Sequence, residues 1–420
     1  MTERKIDWLS FGTCVALILA LCIPLVAFPG RGSAALEALY RFLMDELGVV
    51  YLLASLACIG LLTWLAFGRY GSVKLSSHGE GPEFSTVSWV AMLFCGGIGA
   101  GLMYWCGIEW TYYYTAPPFG AEPRSTAAAE WASTYGMYHW GITAWAIYCL
   151  PALAIAYPYY TRRIPWLRFS NGCHRYLQGR ELGPTARFVD FWLMVAIIAG
   201  AGSSLAFCTP MIAACIARVF GVPYEFWMNL LVIGLSVAIF ATSVWLGLKR
   251  GMKNLSDLTL LLSFVFLAYV LIVGPTNFLV RASVNSVGVM LQNYIRMNFW
   301  TDPYLRSGFL ENWTIFYWAW WMSYAPFIGL FVTRISRGRT IREVIVGMLV
   351  FGSLGGALFY MVVGNFAMHL ELTGQLAVTE IVQNQGGPVA IVAVLDHLPW
   401  AWGAIAVFAL VSLAFSATTY

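Results

Sequence analysis

The chain has 420 residues, of which 60% are hydrophobic and only 10% are charged, and its formal net charge is +4. A soluble domain carries about a quarter charged residues, so this composition excludes soluble enzymes and nucleic-acid-binding proteins and indicates an integral membrane protein. The nine cysteines are scattered without a C-x-x-C pair, so neither a disulfide framework nor a zinc site is predicted.

Apolar runs long enough to cross a bilayer as a helix recur along the whole chain. The first run has no small-residue cleavage site after it, so it is expected to remain as a span. The last run stops in mid-helix at Tyr420, so we expect the chain to lack part of its natural carboxyl terminus. Ten spans are predicted, near residues 8–28, 47–67, 85–108, 129–157, 189–218, 226–247, 255–274, 312–335, 341–363 and 400–420.

Basic residues are concentrated in alternate loops between these spans. The loop that follows the fourth span alone holds six arginines between Arg162 and Arg187. The positive-inside rule places such loops and the amino terminus in the cytoplasm. The stretch 275–311 then lies outside, and 283–299 is predicted to be an amphipathic helix at the membrane interface.

The third span contains four glycines in the sequence CGGIGAG at 95–101. Each glycine in a helix costs about 1 kcal/mol relative to alanine. Glycine-interrupted helices at mid-membrane indicate substrate and ion sites in transporters. The alternative is close helix–helix contact through small residues such as Gly97 and Gly101. The sequence leaves both interpretations open.

Two stretches of the chain are crowded with aromatic side chains. In HWGITAWAIY, Trp140, Trp145 and Tyr148 lie within an arc of about 140° on a helix. Buried ring faces attract a quaternary ammonium, which cannot form hydrogen bonds, by up to about 2 kcal/mol each. Ordinary packing or an interfacial aromatic belt is the alternative.

The second stretch is FYWAWWMSY, which lies inside the eighth span. Tyr317, Trp321 and Tyr324 form one stripe along a helix, and Phe316 and Trp320 form another that is displaced around it. Not every ring is therefore expected to face one cavity. The two stretches together predict an aromatic cage for a soft cation.

Ionisable residues within the spans are few. His139, Asp190, Asp257 and Glu109 are expected at or near helix ends, and no span carries a chain of carboxylates. A proton pump is therefore not predicted. No nucleophile–base pairing or metal-ligand spacing is present in the sequence, so we expect a protein that is not an enzyme, with a satisfied structural role for His139.

At these residues the chain resembles the betaine–choline–carnitine transporters. The resemblance is carried by EFSTVSW at 83–89, GGIGAGLMYW at 96–105, HWGITAWAIY at 139–148 and, above all, WTIFYWAWWMSYAPFIGLFVTRISRGRT at 313–340. It implies an all-α integral membrane protein with a five-plus-five inverted-repeat fold behind two extra amino-terminal helices. The resulting parts are 1–78 for the two accessory helices, 79–280 for the first repeat (spans 3–7), 281–311 for the external interfacial helix and loop, and 312–420 for an incomplete second repeat (spans 8–10).

The resemblance also implies a substrate site. Its aromatic box falls on Trp140, Trp145, Tyr148 and Trp321, with Trp320 and Phe316 lining the route and Tyr324 where some members carry another tryptophan. Its glycine motif falls on Gly97, Ile98, Gly99, Ala100 and Gly101. Choline-specific members tend to carry aspartate at the position of Gly101, so its absence here favours a zwitterion with its own carboxylate.

Sodium-coupled members of the family use an ion site that aligns with the backbone carbonyls of Cys95 and Ile98 and with Phe415, Thr418 and Thr419. The alternative for both threonine hydroxyls is helix-to-helix hydrogen bonding. Sodium-independent carnitine exchangers carry an arginine where this chain has Thr259, and a glutamine and a methionine where it has Phe327 and Ile328. These positions favour sodium coupling, although the overall likeness is closer to the exchangers.

The expected function is therefore secondary transport of a quaternary ammonium zwitterion, such as glycine betaine or carnitine, across the bacterial inner membrane with sodium as coupling ion. A sodium-independent exchanger and a membrane receptor without transport are the alternatives. The resemblance further implies a homotrimer embedded in membrane lipids, with no nucleic-acid partner and no organic cofactor.

Overall fold

The computed structural model describes residues 8–76, 80–97, 99–177, 180 and 183–419, and most of them lie in helices. Within these ranges the one β-type pairing is an isolated antiparallel bridge between Lys74 and Thr340. The predicted all-α fold class is therefore confirmed.

The helices follow one another along the chain with short connections. They are α1 (Trp8–Ala27), α2 (Pro29–Arg41), α3 (Gly48–Phe67), α4 (Thr86–Gly97), α5 (Gly99–Thr115), α6 (Thr126–His139), α7 (Ile142–Ala156), α8 (His174–Leu177), α9 (Pro184–Phe220), α10 (Phe226–Gly247), α11 (Lys253–Val273), α12 (Thr276–Phe299), α13 (Phe316–Ile335), α14 (Ile341–Val346), α15 (Ser353–Phe359), α16 (Asn365–Leu372), α17 (Val378–Gln385), α18 (Gly387–Asp396) and α19 (Ala401–Thr419). Short π-helical stretches adjoin several of them, at Phe42–Glu46, Tyr157–Thr161, Leu248–Met252, Leu310–Ile315, Gly347–Gly352 and Tyr360–Gly364, and 3₁₀ turns lie at Arg69–Ser72 and Phe169–Cys173.

Within the described ranges seven helical runs are long and apolar enough to cross a membrane, or up to eight if the bent pair α4–α5 is one span. One of the seven, Phe226–Val273, contains two predicted spans, because the backbone breaks at Gly247 with a φ of +75°. Residues of α10 and α11 line one pocket across that break, so the chain turns back on itself there. Nine of the ten predicted spans thus lie within these runs of the described residues. The first predicted span, 8–28, falls on α1, whose apolar part Phe11–Ala27 is shorter than the other spans.

Three segments outside the predicted spans differ from expectation. α2 (Pro29–Arg41) forms a helix between the first two predicted spans, where none was predicted. The interfacial helix predicted at 283–299 begins earlier, because α12 runs from Thr276 to Phe299. The domain boundary predicted at residue 281 therefore falls inside a helix. The loop predicted before the last span contains α17 and α18, which pack on α5 and on each other.

The glycine-rich third span is broken, as one of its two interpretations requires. The helix directions before and after the break, from Thr86 to Gly97 and from Gly101 to Thr115, differ by 61°. Gly99 has a φ of +55°, a left-handed conformation that glycine adopts without a steric penalty. Ile98 lies outside the described residues.

The helices α7 and α13, which carry the two aromatic stretches, pack along each other. The close approach uses small side chains, since a Cβ added at Gly329 would lie 3.1 Å from the backbone nitrogen of Ala152. The hydroxyl of Thr333 donates to the carbonyl oxygen of Ala152 at 3.1 Å. This helix pair is the frame on which the two aromatic sets meet.

Candidate functional site

A small cavity lies where α4–α5, the α6–α7 junction, α9 and α13 meet. Its volume is about 20 Å³, which is room for about one water molecule. None of its described lining residues carries a charge. These residues are Gly97, Gly101, Trp140, Tyr148, Ser204, Trp320, Trp321 and Tyr324.

Trp321 is the central ring of this cavity and is only 5% exposed. It stacks on Trp320, with ring centroids 5.1 Å apart and an interplanar angle of 9°. Trp140 and Tyr148 approach it edge to face, with centroids at 4.9 Å and 5.7 Å. Three tryptophans and a tyrosine therefore meet around one point, as the cage hypothesis requires. Trp320 belongs to this group although the helical stripes placed it apart from Trp321.

The orientation of Trp321 depends on the break between α6 and α7. Its indole N–H donates to the carbonyl oxygen of His139 at 3.0 Å. That carbonyl is available because α6 ends at His139 and the chain leaves the helix through Trp140 and Gly141 before α7 begins. The non-helical turn thus supplies both a wall of the cavity and the acceptor that holds its central ring.

The glycines of α4 and α5 make room for these rings. A Cβ at Gly97 would overlap the ring of Trp145, and one at Gly101 would lie 3.3 Å from the ring of Trp140. The close-contact interpretation of the glycine stretch is therefore realised. Its use as a substrate or ion site stays a prediction.

Some predicted site residues lie behind the cavity wall. Trp145 packs where a side chain at Gly97 or Gly352 would stand, and it meets Tyr148 edge to face at 6.0 Å. Phe316 is half-buried and contacts Trp320 at 5.6 Å. Gly99 is buried at the start of α5 without lining the cavity. A place for Phe316 on the substrate route stays a prediction.

Two further residues of the cavity region come from α9, and the sequence analysis missed them. Ser204 lines the cavity, and a Cβ at Gly200 would overlap the ring of Tyr324. The sequence signal is the run of small residues AGAGSS at 199–204 in the fifth span. Such a run allows the close approach of another helix.

Glu109 is the largest correction to the sequence analysis. It lies inside α5, six residues before the helix ends, and is fully buried. Its carboxylate accepts hydrogen bonds from the indole N–H of Trp140 at 3.1 Å, from the hydroxyl of Tyr317 at 2.8 Å, and from the hydroxyls of Tyr113 and Tyr360. The carboxylate therefore holds the ring of Trp140 from outside the cavity.

His139 belongs to the same buried network. Its Nδ1 lies 2.9 Å from the hydroxyl of Tyr113, and its Nε2 lies 3.0 Å from the hydroxyl of Thr314. The imidazole is thus satisfied by structural partners on both sides, as the sequence analysis expected. Asp190 and Asp257 lie near the starts of α9 and α11, also as expected.

The positions that align with a sodium site lie at a contact between α4 and α19. Phe94, beside Cys95, meets Phe415 edge to face at 5.6 Å. The hydroxyl of Thr418 donates within its own helix, to the carbonyl oxygens of Ala414 and Phe415 at 3.1 Å each. A hydroxyl that donates in this way keeps its lone pairs as acceptors. The side chain of Thr419 lies outside what the structure describes.

The polar loops at the Arg-rich side of the helices are joined by ion pairs. Glu83 lies 3.1 Å from Arg334 and 3.3 Å from Lys249. Partial burial raises the pKa of the Glu83 carboxyl, but the hydrogen bonds and charges of Arg334 and Lys249 outweigh burial and lower the pKa overall. The carboxylate is therefore the stable form at neutral pH.

Comparison with known proteins shows the family of the chain. Residues 10–420 match the sequence family described as BCCT, betaine/carnitine/choline family transporter. The chain is 37% identical over 345 residues to the uncharacterized transporter YeaV of Escherichia coli. The aligned region covers 82% of this chain and 71% of that protein. It is 36% identical over 336 residues to a carnitine transporter of Acinetobacter baumannii, covering 80% of this chain but only 60% of that protein.

Proposed function

Because the chain belongs to the betaine/carnitine/choline transporter family, we propose that it carries a quaternary ammonium zwitterion across the bacterial inner membrane together with sodium. Glycine betaine and carnitine are the substrates that fit this proposal best. The relative from Acinetobacter baumannii is named a carnitine transporter, which supports the same substrate class.

The observation that carries the proposal is the ring-lined cavity without a charged side chain among its described lining residues. A quaternary ammonium needs ring faces in place of hydrogen-bond acceptors, and each desolvated face contributes up to about 2 kcal/mol. Glu109 stands behind Trp140 and accepts its N–H, so its charge polarises the indole without forming an ion pair with the substrate. A lining without a carboxylate thus favours a substrate that brings its own negative charge.

The broken helix offers a place for that negative charge. α5 begins at Gly99, so its first backbone N–H groups lack helical acceptors and carry the positive end of the helix dipole. Gly101 lies on the cavity wall at this same end. A zwitterion can thus place its methylated nitrogen among the rings and its carboxylate toward the start of α5.

Substrate entry requires the aromatic cavity to widen. A cavity of about 20 Å³ is far smaller than a trimethylammonium group, so the stacked rings of α13 and the rings of the α6–α7 junction must separate. Alternating access would then rock the part of the chain with Gly97 and Trp140 against α13. A motion of this kind, around a site at the repeat interface, is usual for inverted-repeat transporters.

Sodium coupling is supported by the chemistry of the α4–α19 contact. The carbonyl of Cys95 lies in the last turn of α4, and the Thr418 hydroxyl keeps lone pairs for a hard cation. The buried hydroxyl of Thr259 donates to the carbonyl of Leu255, so no fixed positive charge at this position replaces an ion. Oxygen ligands from an unwound helix suit sodium.

Uptake by the purified protein in proteoliposomes tests the proposal. Labelled glycine betaine and carnitine should accumulate when sodium is higher outside than inside. Accumulation that is unchanged without sodium and that requires unlabelled internal substrate would instead identify the exchanger. Ligand binding without any flux would identify a receptor. Light scattering of the detergent-solubilised protein should show the homotrimer that the family resemblance implies.

A further inference from the structure

A second, larger cleft lies away from the aromatic cavity, at the Arg-rich side of the helices. Its volume is about 670 Å³. It opens between the carboxyl-terminal end of α3, the carboxyl-terminal half of α7 and the segment 169–175. The substrate site does not use any of its lining residues, because the two lining sets do not overlap.

The walls of this cleft are apolar and aromatic. Its apolar lining comes from Leu65, Leu150, Leu153, Ala154 and Ile341. At its rim stand the rings of three residues that bridge apolar and polar surroundings, namely Trp64, Tyr70 and Tyr157. Tryptophan and tyrosine gather at the level of lipid headgroups, so this rim has the composition of a membrane–water boundary.

Positive charge stands at the same rim. Arg162 and Arg175 are both exposed lining residues, and the guanidinium of Arg162 lies 5.6 Å from the ring centre of Tyr157. No aspartate or glutamate is among the described lining residues. The nearby carboxylate of Asp190 is used by Ser170 and by Arg168, which lies 3.8 Å away. The cleft thus presents two guanidinium groups above an apolar interior.

From this pairing we propose that the cleft binds an anionic phospholipid. The guanidinium groups of Arg162 and Arg175 bind the phosphate, for which their planar arrangement of donors is well suited. The apolar walls on α3 and α7 hold the upper part of the acyl chains. A soluble anion would gain nothing from the apolar walls, and a zwitterionic lipid would bring a cation toward two arginines, so charge and shape together select an anionic lipid.

Native mass spectrometry of the full chain in mild detergent tests this proposal with two lipids of identical acyl chains. Phosphatidylglycerol should remain bound at concentrations at which phosphatidylcholine is lost. The double variant Arg162→Gln/Arg175→Gln should bind phosphatidylglycerol about tenfold more weakly, since it loses two charge-assisted contacts. The variant Ala154→Trp, which places a large ring among the apolar lining residues and keeps both arginines, should weaken lipid binding as well.

The control variant Arg180→Gln/Arg187→Gln removes the same amount of charge between α8 and α9 and in the first turn of α9, at exposed positions that do not line the cleft. It should bind phosphatidylglycerol like the parent protein. Equal binding of the two lipids, or an equal loss in the control, would overturn the proposal. Displacement of the lipid by free glycerol phosphate would overturn it too, because the site would then recognise a small anion.

Discussion

Replacing Trp321 by leucine is the sharpest test of the aromatic cavity. The substitution removes the ring that stacks on Trp320 at 5.1 Å and that Trp140 and Tyr148 approach edge to face. The loss of one desolvated ring face costs about 2 kcal/mol of binding free energy. That energy corresponds to about a 30-fold rise in Kd for glycine betaine or carnitine. The true loss should be at least this large, because the neighbouring rings lose their packing partner.

Titration calorimetry with the purified protein measures this change directly. Trp300→Leu is the matched control, since Trp300 packs on Phe119 at 4.2 Å and does not line the cavity. Trp321→Phe keeps a ring face but loses the N–H that binds the carbonyl of His139, so its loss of affinity should be smaller. Melting temperatures separate lost binding from lost folding. Equal affinities for Trp321→Leu and the parent, or equal losses for Trp321→Leu and Trp300→Leu, would refute a specific cage.

Three further substitutions test other parts of the structure. Glu109→Gln removes the charge behind the cavity and leaves fewer acceptors for four donors, so calorimetry should show substrate binding about tenfold weaker in a folded protein; unchanged affinity would contradict that role. Gly97→Ala should abolish uptake because its methyl group overlaps a ring, whereas Gly288→Ala, which has open space, should transport normally. The Glu83 carboxylate contributes stability above its ordinary pKa of 4.5, and this contribution is lost as the pH falls through its lowered folded pKa. Glu83→Gln should therefore melt below the parent at pH 7, and the difference should shrink as the pH falls from 4.5 through the lowered folded pKa of Glu83. A difference that persists unchanged in acid would argue against the ion pairs.

The sequence was sufficient to locate the membrane-spanning helices, because the thickness of the bilayer sets the length of each apolar run. All ten predicted spans fall on helices for this reason. The interior of the third span was harder to predict. Its hydropathy falls at TYYYT, so the predicted span ended at 108, whereas α5 continues to Thr115. In the sequence, a run of tyrosines that donate to a buried carboxylate looks the same as a run at the polar end of a span. Only the structure shows that Glu109 lies inside the helix.

The aromatic set was predictable in membership but not in arrangement. Helical angles placed Trp320 on a different stripe from Trp321, yet the two rings stack with their centroids 5.1 Å apart. The same angles placed Trp145 on one arc with Trp140 and Tyr148, while its ring packs in the space left by Gly97 and Gly352. Angles around one helix cannot show where glycines of an adjacent helix leave space for a ring. Contacts between helices decide which rings face the cavity.

The glycine break connects the two sites that the proposed function requires. On its α5 side, Gly101 contacts the ring of Trp140 in the substrate cavity. On its α4 side, Phe94 contacts Phe415 beside the positions that align with a sodium site. A change in the 61° bend would therefore move a cavity wall and candidate ion ligands together. If ligands at both sites bias this one bent element, the sites are coupled energetically without direct contact, and each ligand changes the affinity for the other by the same factor. Glycine suits this position because its backbone reaches the bent conformation at low cost, whereas a helix without glycine would resist it.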